Sequence, residues 1–226
     1  MSSNLTTFDK NIPPLENGDR LTAFEFEDRY QLMSNVKKAE LIEGLVYMPA
    51  ALRFRQHGKP HAHIIGWLAQ YEAATSGVEL ADNATVRLDE KNVPQPDALL
   101  RIDKGGKSII SEDDYVEGAP ELIIEIAAST VSIDLHDKLK VYERHQVQEY
   151  LVWRVYDNQI DWFSLKEGQY TKLKIDKNGV IKSEVYRGLW LDVPALLTGN
   201  LLGVLEVLQQ GMKTKEYEDF RKKLLT

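Results

Sequence analysis

Residues Pro120–Tyr150 read PELIIEIAASTVSIDLHDKLKVYERHQVQEY, and the fold turns on this segment. Glu121–Ala127, ELIIEIA, is the most apolar strand candidate in the chain. A short apolar run rich in isoleucine, closed by the small residues Ala128-Ser-Thr130, predicts a central strand. From Ser132 to about Gln146, the apolar residues Leu135, Leu139 and Tyr142 share one face, as in a helix lying against a sheet. Tyr150 opens the next apolar stretch. One residue is foreign to such a core. Glu125 lies inside the strand, where an ionised carboxylate costs several kcal/mol to desolvate unless it is paired or holds a metal. Alternation along the strand puts Glu121, Ile123 and Glu125 on one face and Leu122, Ile124 and Ile126 on the other. From this segment alone, a salt bridge or a place at a sheet edge explains Glu125 equally well.

Helical geometry adds a second residue. At about 100° per residue, Lys138 falls between Val141 and Tyr142, on the rim of the buried face, while Lys140 falls on the solvated side. Lys138 can therefore reach the sheet. It also stands four residues after Asp134, a spacing that on a surface helix is worth a few tenths of a kcal/mol. A third candidate lies upstream in Gln95-Pro96-Asp97-Ala98-Leu99, where Pro96 holds the start of a strand and Asp97 occupies its first residues. A Pro-Asp pair is more often a turn, so Asp97 gains weight only from the other two.

Working outward, residues 1–20 are polar, with Pro13-Pro14 and Gly18, and read as a tail. Thr22 followed by Glu25 is a capping box and predicts a helix from Leu21 to Leu32. Ala39–Met48 predicts two short strands turning at Glu43-Gly44. Ala50–Pro60, AALRFRQHGKP, reads as a basic loop carrying Arg53, Arg55, His57 and Lys59, with Gly58 and Pro60 delaying the next helix to His61–Ala74. Strands are expected at Val78–Leu88 and Asp97–Ile102, then a connecting loop or short helix over Asp103–Ala119. After Tyr150 a meander follows, at Tyr150–Tyr156, Ile160–Leu165 and Tyr170–Ile175. A helix at about Leu201–Gln210 precedes KTKEYEDFRKKLLT, which reads as a solvated tail helix and, less readily, as a dimerisation helix. The fold class is α+β: a central mixed sheet flanked by helices, with an antiparallel meander added toward the C-terminus. The domain is expected over 21–200, with a helical extension over 201–226.

Composition narrows the chemistry. The chain has 226 residues, 28 basic against 35 acidic side chains and no cysteine. Without cysteine there is no disulfide scaffold, thiolate nucleophile or sulfur-bound zinc. A net charge of −7 disfavours coating nucleic acid through bulk charge, but leaves room for local basic contacts and a carboxylate-bound metal. No stretch approaches the ~20 apolar residues of a membrane helix, and the first residues lack the apolar run of a secretory leader. A cytoplasmic protein without membrane attachment is expected. Neither a Gly-rich phosphate loop nor a G-x-S-x-G turn occurs.

Asp97 on one strand, Glu125 on the next and a lysine in reach make a coherent set. Two carboxylates from adjacent strands can chelate a hard divalent ion. Such an ion stabilises charge on a scissile phosphate and acidifies a bound water, and an ammonium can orient that water. These are the parts of a PD-(D/E)XK nuclease, except that Ala127 stands where the lysine is usual, two residues after the glutamate. Lys138, on the following helix, is the alternative source.

Pro120–Tyr150 also resembles the signature of the restriction-endonuclease family called Uma-two (Uma2), in the PD-(D/E)XK superfamily. Ser129-Thr130, Asp134, Lys138, Tyr142 and Glu149-Tyr150 occupy its positions. Upstream, Glu40-Leu-Ile-Glu-Gly44 is similar to the family's E-L-I-x-G, and His61 matches the histidine opening its first core helix. Downstream, Gly188-Leu-Trp-Leu191 is similar to its closing G-L-x-L strand. Ala128 replaces a usual serine, and Arg154 stands near the place of a frequent aspartate. The resemblance implies a restriction-endonuclease-like fold and a magnesium-dependent (or manganese-dependent) endonuclease acting on DNA. Asp97 and Glu125 would bind the metal, Lys138 would assist the attacking water, and Glu40 would be an auxiliary ligand or base. By analogy with restriction enzymes, a homodimer is expected, since two sites cut two strands. His61 lies on its helix's apolar stripe and is either a satisfied core histidine or an auxiliary site residue. Arg53, Arg55 and Lys59 are candidate phosphate contacts in what is otherwise a solvated loop. The competing reading is a non-catalytic nucleic-acid or protein interaction module that retains the nuclease fold.

Overall fold

The computed structural model describes residues 12–48 and 53–225. The first half of the polar tail and Ala50–Leu52 of the basic loop lie outside the described residues.

The expected capping box forms. The Thr22 hydroxyl accepts the Glu25 N–H, and the Glu25 carboxylate accepts the Thr22 N–H at 2.9 Å, opening α1 (Ala23–Gln31). β1 (Glu40–Ile42) and β2 (Leu45–Tyr47) form a hairpin whose turn residues, Glu43 (φ 52°) and Gly44 (φ 74°), both lie in the left-handed region. That is what a tight two-residue hairpin turn needs.

Next comes a departure from expectation. A π-helical turn, Phe54–Gly58, runs straight into α2 (Lys59–Ala74), so the loop is helical from Phe54 onward. Pro60 is the seventh residue of this continuous helical run, and its missing N–H takes one donor from the ladder where the π-helical turn passes into α2. Gly58 simply adopts helical angles, φ −57° and ψ −43°. The two residues expected to delay the helix therefore lie inside it.

The long strand expected over Val78–Leu88 is two strands, β3 (Val78–Asp82) and β4 (Val86–Arg87), parted by Asn83 at φ 53°. β5 (Ala98–Ile102) follows. The segment expected as loop or short helix holds β6 (Ser108–Ile110) and β7 (Val116–Gly118), which join β4 in a three-stranded sheet ordered β4-β7-β6. Its acidic cluster is the connecting turn, and Asp113 there pairs with Arg87 at 2.8 Å.

The decisive segment folds as read: β8 (Leu122–Ala127), a π-helical turn at Ile133–Lys138 continuing into α3 (Leu139–Arg144), then β9 (Glu149–Arg154). The meander is β9, β10 (Gln159–Lys166) and β11 (Gln169–Lys172), and it continues the main sheet. β12 (Val180–Lys182), β13 (Trp190–Asp192), α4 (Val193–Leu197), α5 (Leu201–Gly211) and α6 (Lys215–Leu224) complete the chain. The six-stranded sheet has order β11-β10-β9-β8-β5-β3, and within it β8 and β9 alone run parallel. A parallel pair needs a crossover, which the π-helical turn and α3 supply.

Every residue of β8 is buried, and its alternation separates two cores. Leu122, Ile124 and Ile126 pack with Ile64, Trp67, Leu68 and Tyr71 of α2 and with Val204 and Leu208 of α5. Ile123 packs on the other face with Val141, Tyr142 and Tyr150. The C-terminal segment is a docked helix, contrary to its reading as solvated. The Tyr217 hydroxyl donates to the Ala74 carbonyl at 2.7 Å, and a Cβ on Gly188 would come within 2.8 Å of the Tyr217 ring. Gly188, at φ +85°, is the residue that lets α6 approach.

Glu149, wholly buried at the start of β9, accepts the Ser183 hydroxyl (2.7 Å) and the N–H groups of Glu184 (2.7 Å) and Val185 (3.1 Å). Burial outweighs these bonds and pushes its carboxyl from the ordinary 4.5 up to about 7. A raised folded-state value means stability that is complete below about 4.5 and lost as pH rises through about 7. Glu149 should therefore contribute roughly 5 °C to a fall in melting temperature between pH 6 and pH 8.5 in metal-free buffer, beside the share of Glu125, whose carboxyl is raised to about 8. Glu149→Gln should make the fall smaller by about that amount. A wild-type melting temperature that stays level or rises across this window would contradict the assignment.

Candidate active site

Strand register brings the two candidate metal ligands side by side. β5 and β8 are antiparallel, with Ala98 opposite Ile124 and Leu99 opposite Ile123. One further step sets Asp97 opposite Glu125, and directly opposed residues on antiparallel strands share a face with Cβ atoms about 5 Å apart. Both carboxylates are buried, and both line one pocket of about 480 Å³ together with Lys38, Glu40, Arg53, His57 and Lys138.

Lys138 reaches the sheet because its helix starts one turn before it, on the face that buries Tyr142. Its ammonium donates to Glu40 Oε1 (2.8 Å) and Oε2 (3.0 Å) and to Glu125 Oε1 (2.8 Å), with Asp134 Oδ1 at 3.7 Å. Lys140 is exposed. The Tyr142 hydroxyl donates to Glu125 Oε1 at 3.1 Å, and the Thr130 hydroxyl to Asp134 Oδ2 at 2.6 Å. Glu40, from β1, also accepts the Gln95 N–H at 2.8 Å. Lys138 is thus the hub of a buried charge cluster, with Asp134 only one of its partners.

Asp97 has partners of its own. Lys38 donates to Oδ1 at 2.9 Å, while His57 Nε2 (3.2 Å) and the Ile126 N–H (2.8 Å) meet Oδ2. Burial opposes its charge, but the His57 hydrogen bond and the Lys38 ammonium prevail and hold the carboxyl well below the usual range. Glu125 goes the other way. Burial, reinforced by Asp134, Glu40 and Asp97, outweighs Lys138 and pushes it up to about 8. Asp134 is raised too, by burial and by the carboxylates around it. Lys138 is raised well above its ordinary value because its carboxylate neighbours overcome its own burial.

Four buried carboxylates against two ammonium groups leave the cluster short of positive charge. This is the observation that bears on a metal. Asp97 and Glu125 offer hard oxygen donors, as magnesium or manganese requires. No group of three or more His, Asp or Glu side chains converges to hold an ion among the described residues. An ion there would rest on the two carboxylates, with waters and substrate oxygens completing its shell, the usual arrangement for magnesium. The residues fit on those terms.

The remaining candidates separate. Arg53 lines the main pocket, whereas Arg55 and Lys59 line a second one. His61 turns behind the site, its Nε2 within 2.9 Å of the Asp97 carbonyl and 3.0 Å of Asp82 Oδ1. Two residues of the pocket escape sequence reading. His57, whose ring lies 5.5 Å from that of His61, is one helical turn before it. That spacing is visible in the sequence, but Gly58 and Pro60 between the two argue against a continuous helix. Lys38 lies two residues before Glu40, in a stretch without periodicity to mark it.

The chain and its fold resemble known proteins. Residues 25–194 match the family model described as "Uma2: Putative restriction endonuclease". A crystal structure of a putative nuclease belonging to DUF820 from Anabaena variabilis ATCC 29413 superimposes with a TM-score of 0.58 at 11% identity, covering 76% of this chain and 97% of that one. At that identity the likeness is one of fold. No curated protein sequence matches the chain. Among the described residues, no helix is long and apolar enough to cross a membrane.

Proposed function

The chain belongs to the Uma-two restriction-endonuclease family, and on that premise we propose that it is a metal-dependent endonuclease hydrolysing phosphodiester bonds in DNA. The observation that carries the proposal is the buried cluster in which Asp97 and Glu125 share one face of adjacent strands and Lys138 donates to Glu125 from the following helix. Magnesium or manganese bound by the two carboxylates would supply Lewis-acid charge stabilisation and a more acidic water.

The chain's own groups do the rest. Lys38 and His57 fix the Asp97 carboxylate from two sides. Lys138 holds Glu125 and Glu40 in place and lines the pocket, where its positive charge stands beside a phosphoryl or attacking-water oxygen. Glu40, already bonded to Lys138, is the auxiliary ligand or base. Arg53, on the pocket wall, can grip a phosphate beside the scissile one. The lysine has thus moved from the strand to the next helix while serving the same glutamate. Two copies of the chain, one for each strand, would complete a double-strand cut.

Supercoiled and linear DNA incubated with magnesium or manganese should be nicked or cut, and excess EDTA should reduce cleavage to background. Absence of cleavage with either ion, or cleavage that persists in EDTA, would overturn the proposal.

A further inference from the structure

The helical run from Arg53 through α2 faces two cavities. Arg53, Gln56 and His57 line the first; Arg55, Lys59 and His63, spaced one turn apart, line the second, which has a volume of about 260 Å³. The β9–β10 turn divides in the same way, with Tyr156 on the first cavity and Val155 and Asn158 on the second. The two cavities therefore share a wall built from one helix edge and one hairpin turn.

The second cavity joins two chemistries. Its apolar side is Trp153, only 6% exposed, with Leu196 and Leu197. Its basic side is Arg55 and Lys59, both exposed and neither paired with a carboxylate among the described residues. The Lys59 ammonium lies 3.4 Å from the point a Cβ on Gly199 would occupy, and Gly199 has φ +77°. The absent side chain leaves that ammonium open to the cavity. In a chain of net charge −7, two such cations beside a small apolar wall form a local attractor for an anion that also carries a flat apolar group.

We propose that this cavity is a subsite for an unstacked nucleotide flanking the scissile phosphate. Arg55 and Lys59 take its phosphate, and its base lies against Val155, Leu197 and the exposed rim of Trp153, with the Asn158 amide at the polar edge. Tyr156, 61% exposed on the shared wall, offers a stacking surface for the strand as it passes between the cavities. A base inside an intact duplex cannot enter a concave site without leaving its stack. The subsite therefore selects single-stranded or locally opened DNA. This inference rests on the nuclease reading for its orientation, but not for its binding test.

The test uses a fluorescein-labelled single-stranded 12-mer and its duplex, titrated with the whole protein in calcium, which fills hard-ion sites while cleavage is monitored separately in magnesium and manganese. Single strands should bind at least tenfold more tightly than duplex. Arg55→Glu/Lys59→Glu should weaken single-strand binding at least thirtyfold. The charge-neutral Arg55→Gln/Lys59→Gln should lower the slope of log affinity against log salt by about 0.7, the share of the one phosphate that is no longer neutralised. Both residues are exposed, so these variants should melt like wild type. Variants that cleave DNA yet bind single strands with wild-type affinity and salt slope would overturn the subsite and leave the nuclease reading intact. Wild-type protein that binds through Arg55 and Lys59 but cuts nothing with either metal would uphold the subsite and overturn the nuclease reading. Equal affinity for single strand and duplex would also overturn the subsite.

Discussion

Lys138→Met should cost about 3–5 kcal/mol of folding stability, the largest effect of any single substitution proposed for this chain. Methionine keeps most of the side chain's bulk, so the loss is electrostatic. Glu40, Glu125 and Asp134 would remain buried without the ammonium they share, and an unpaired buried charge costs far more than the pair gains. At about 2–4 °C per kcal/mol for a chain of this size, the melting temperature should fall by roughly 6–20 °C. The defect should also depend on pH in a known direction. Glu125 already titrates near 8 with Lys138 present, and removing the cation raises it further. The variant thus takes up protons on folding, and its deficit against wild type should shrink as pH falls from 8 to 5. Adding Glu40→Gln should recover part of the loss, since the two sites are in contact and their effects couple. Urea melts at both pH values make the measurement. A deficit below about 1 kcal/mol at pH 8, or one that grows toward pH 5, would show that the cluster is not charged as described.

How much of this is readable from the sequence depends on whether local pattern and long-range contact agree. β8 announces itself because a fully buried strand must be apolar along its length, and Glu125 stands out as the exception. Lys138 is separated from Lys140 by helical angle alone, because a helix beside a sheet has one inward face. β6 and β7 are hidden because three-residue strands carry no measurable alternation, and what makes them strands is pairing with the distant β4. His57 is hidden by a π-helical turn, which re-aims a side chain in a way no 3.6-residue template anticipates. Lys38 has no local signal at all; its place comes from contact with Asp97, fifty-nine positions later. The docked α6 is legible in part. Tyr217, Phe220 and Leu224 recur on one face of an otherwise charged helix, but the glycine that admits it, Gly188, lies elsewhere in the chain.

Asp97→Ala should abolish cleavage. Removing one of two carboxylates from an ion site forfeits several kcal/mol of transition-state charge stabilisation, and at 1.36 kcal/mol per tenfold this amounts to about a thousandfold loss in rate. Its effect on folding should be smaller than that of Lys138→Met. Lys38, left behind, is 18% exposed and can turn to solvent, whereas the carboxylates around Lys138 cannot. The two substitutions therefore separate chemistry from stability: one removes activity from a folded protein, the other loosens the protein that holds the site. Lys38→Met falls between them. It spares both proposed ligands but releases one oxygen of Asp97, and loss of such a supporting contact typically costs about 10–100-fold. Initial rates of supercoiled-DNA nicking in magnesium, read beside melts of each variant, give the ordering wild type, Lys38→Met, Asp97→Ala. Asp97→Ala retaining a rate within tenfold of wild type, in a preparation whose activity EDTA removes, would mean the proposed carboxylate pair is not where the phosphodiester is cut.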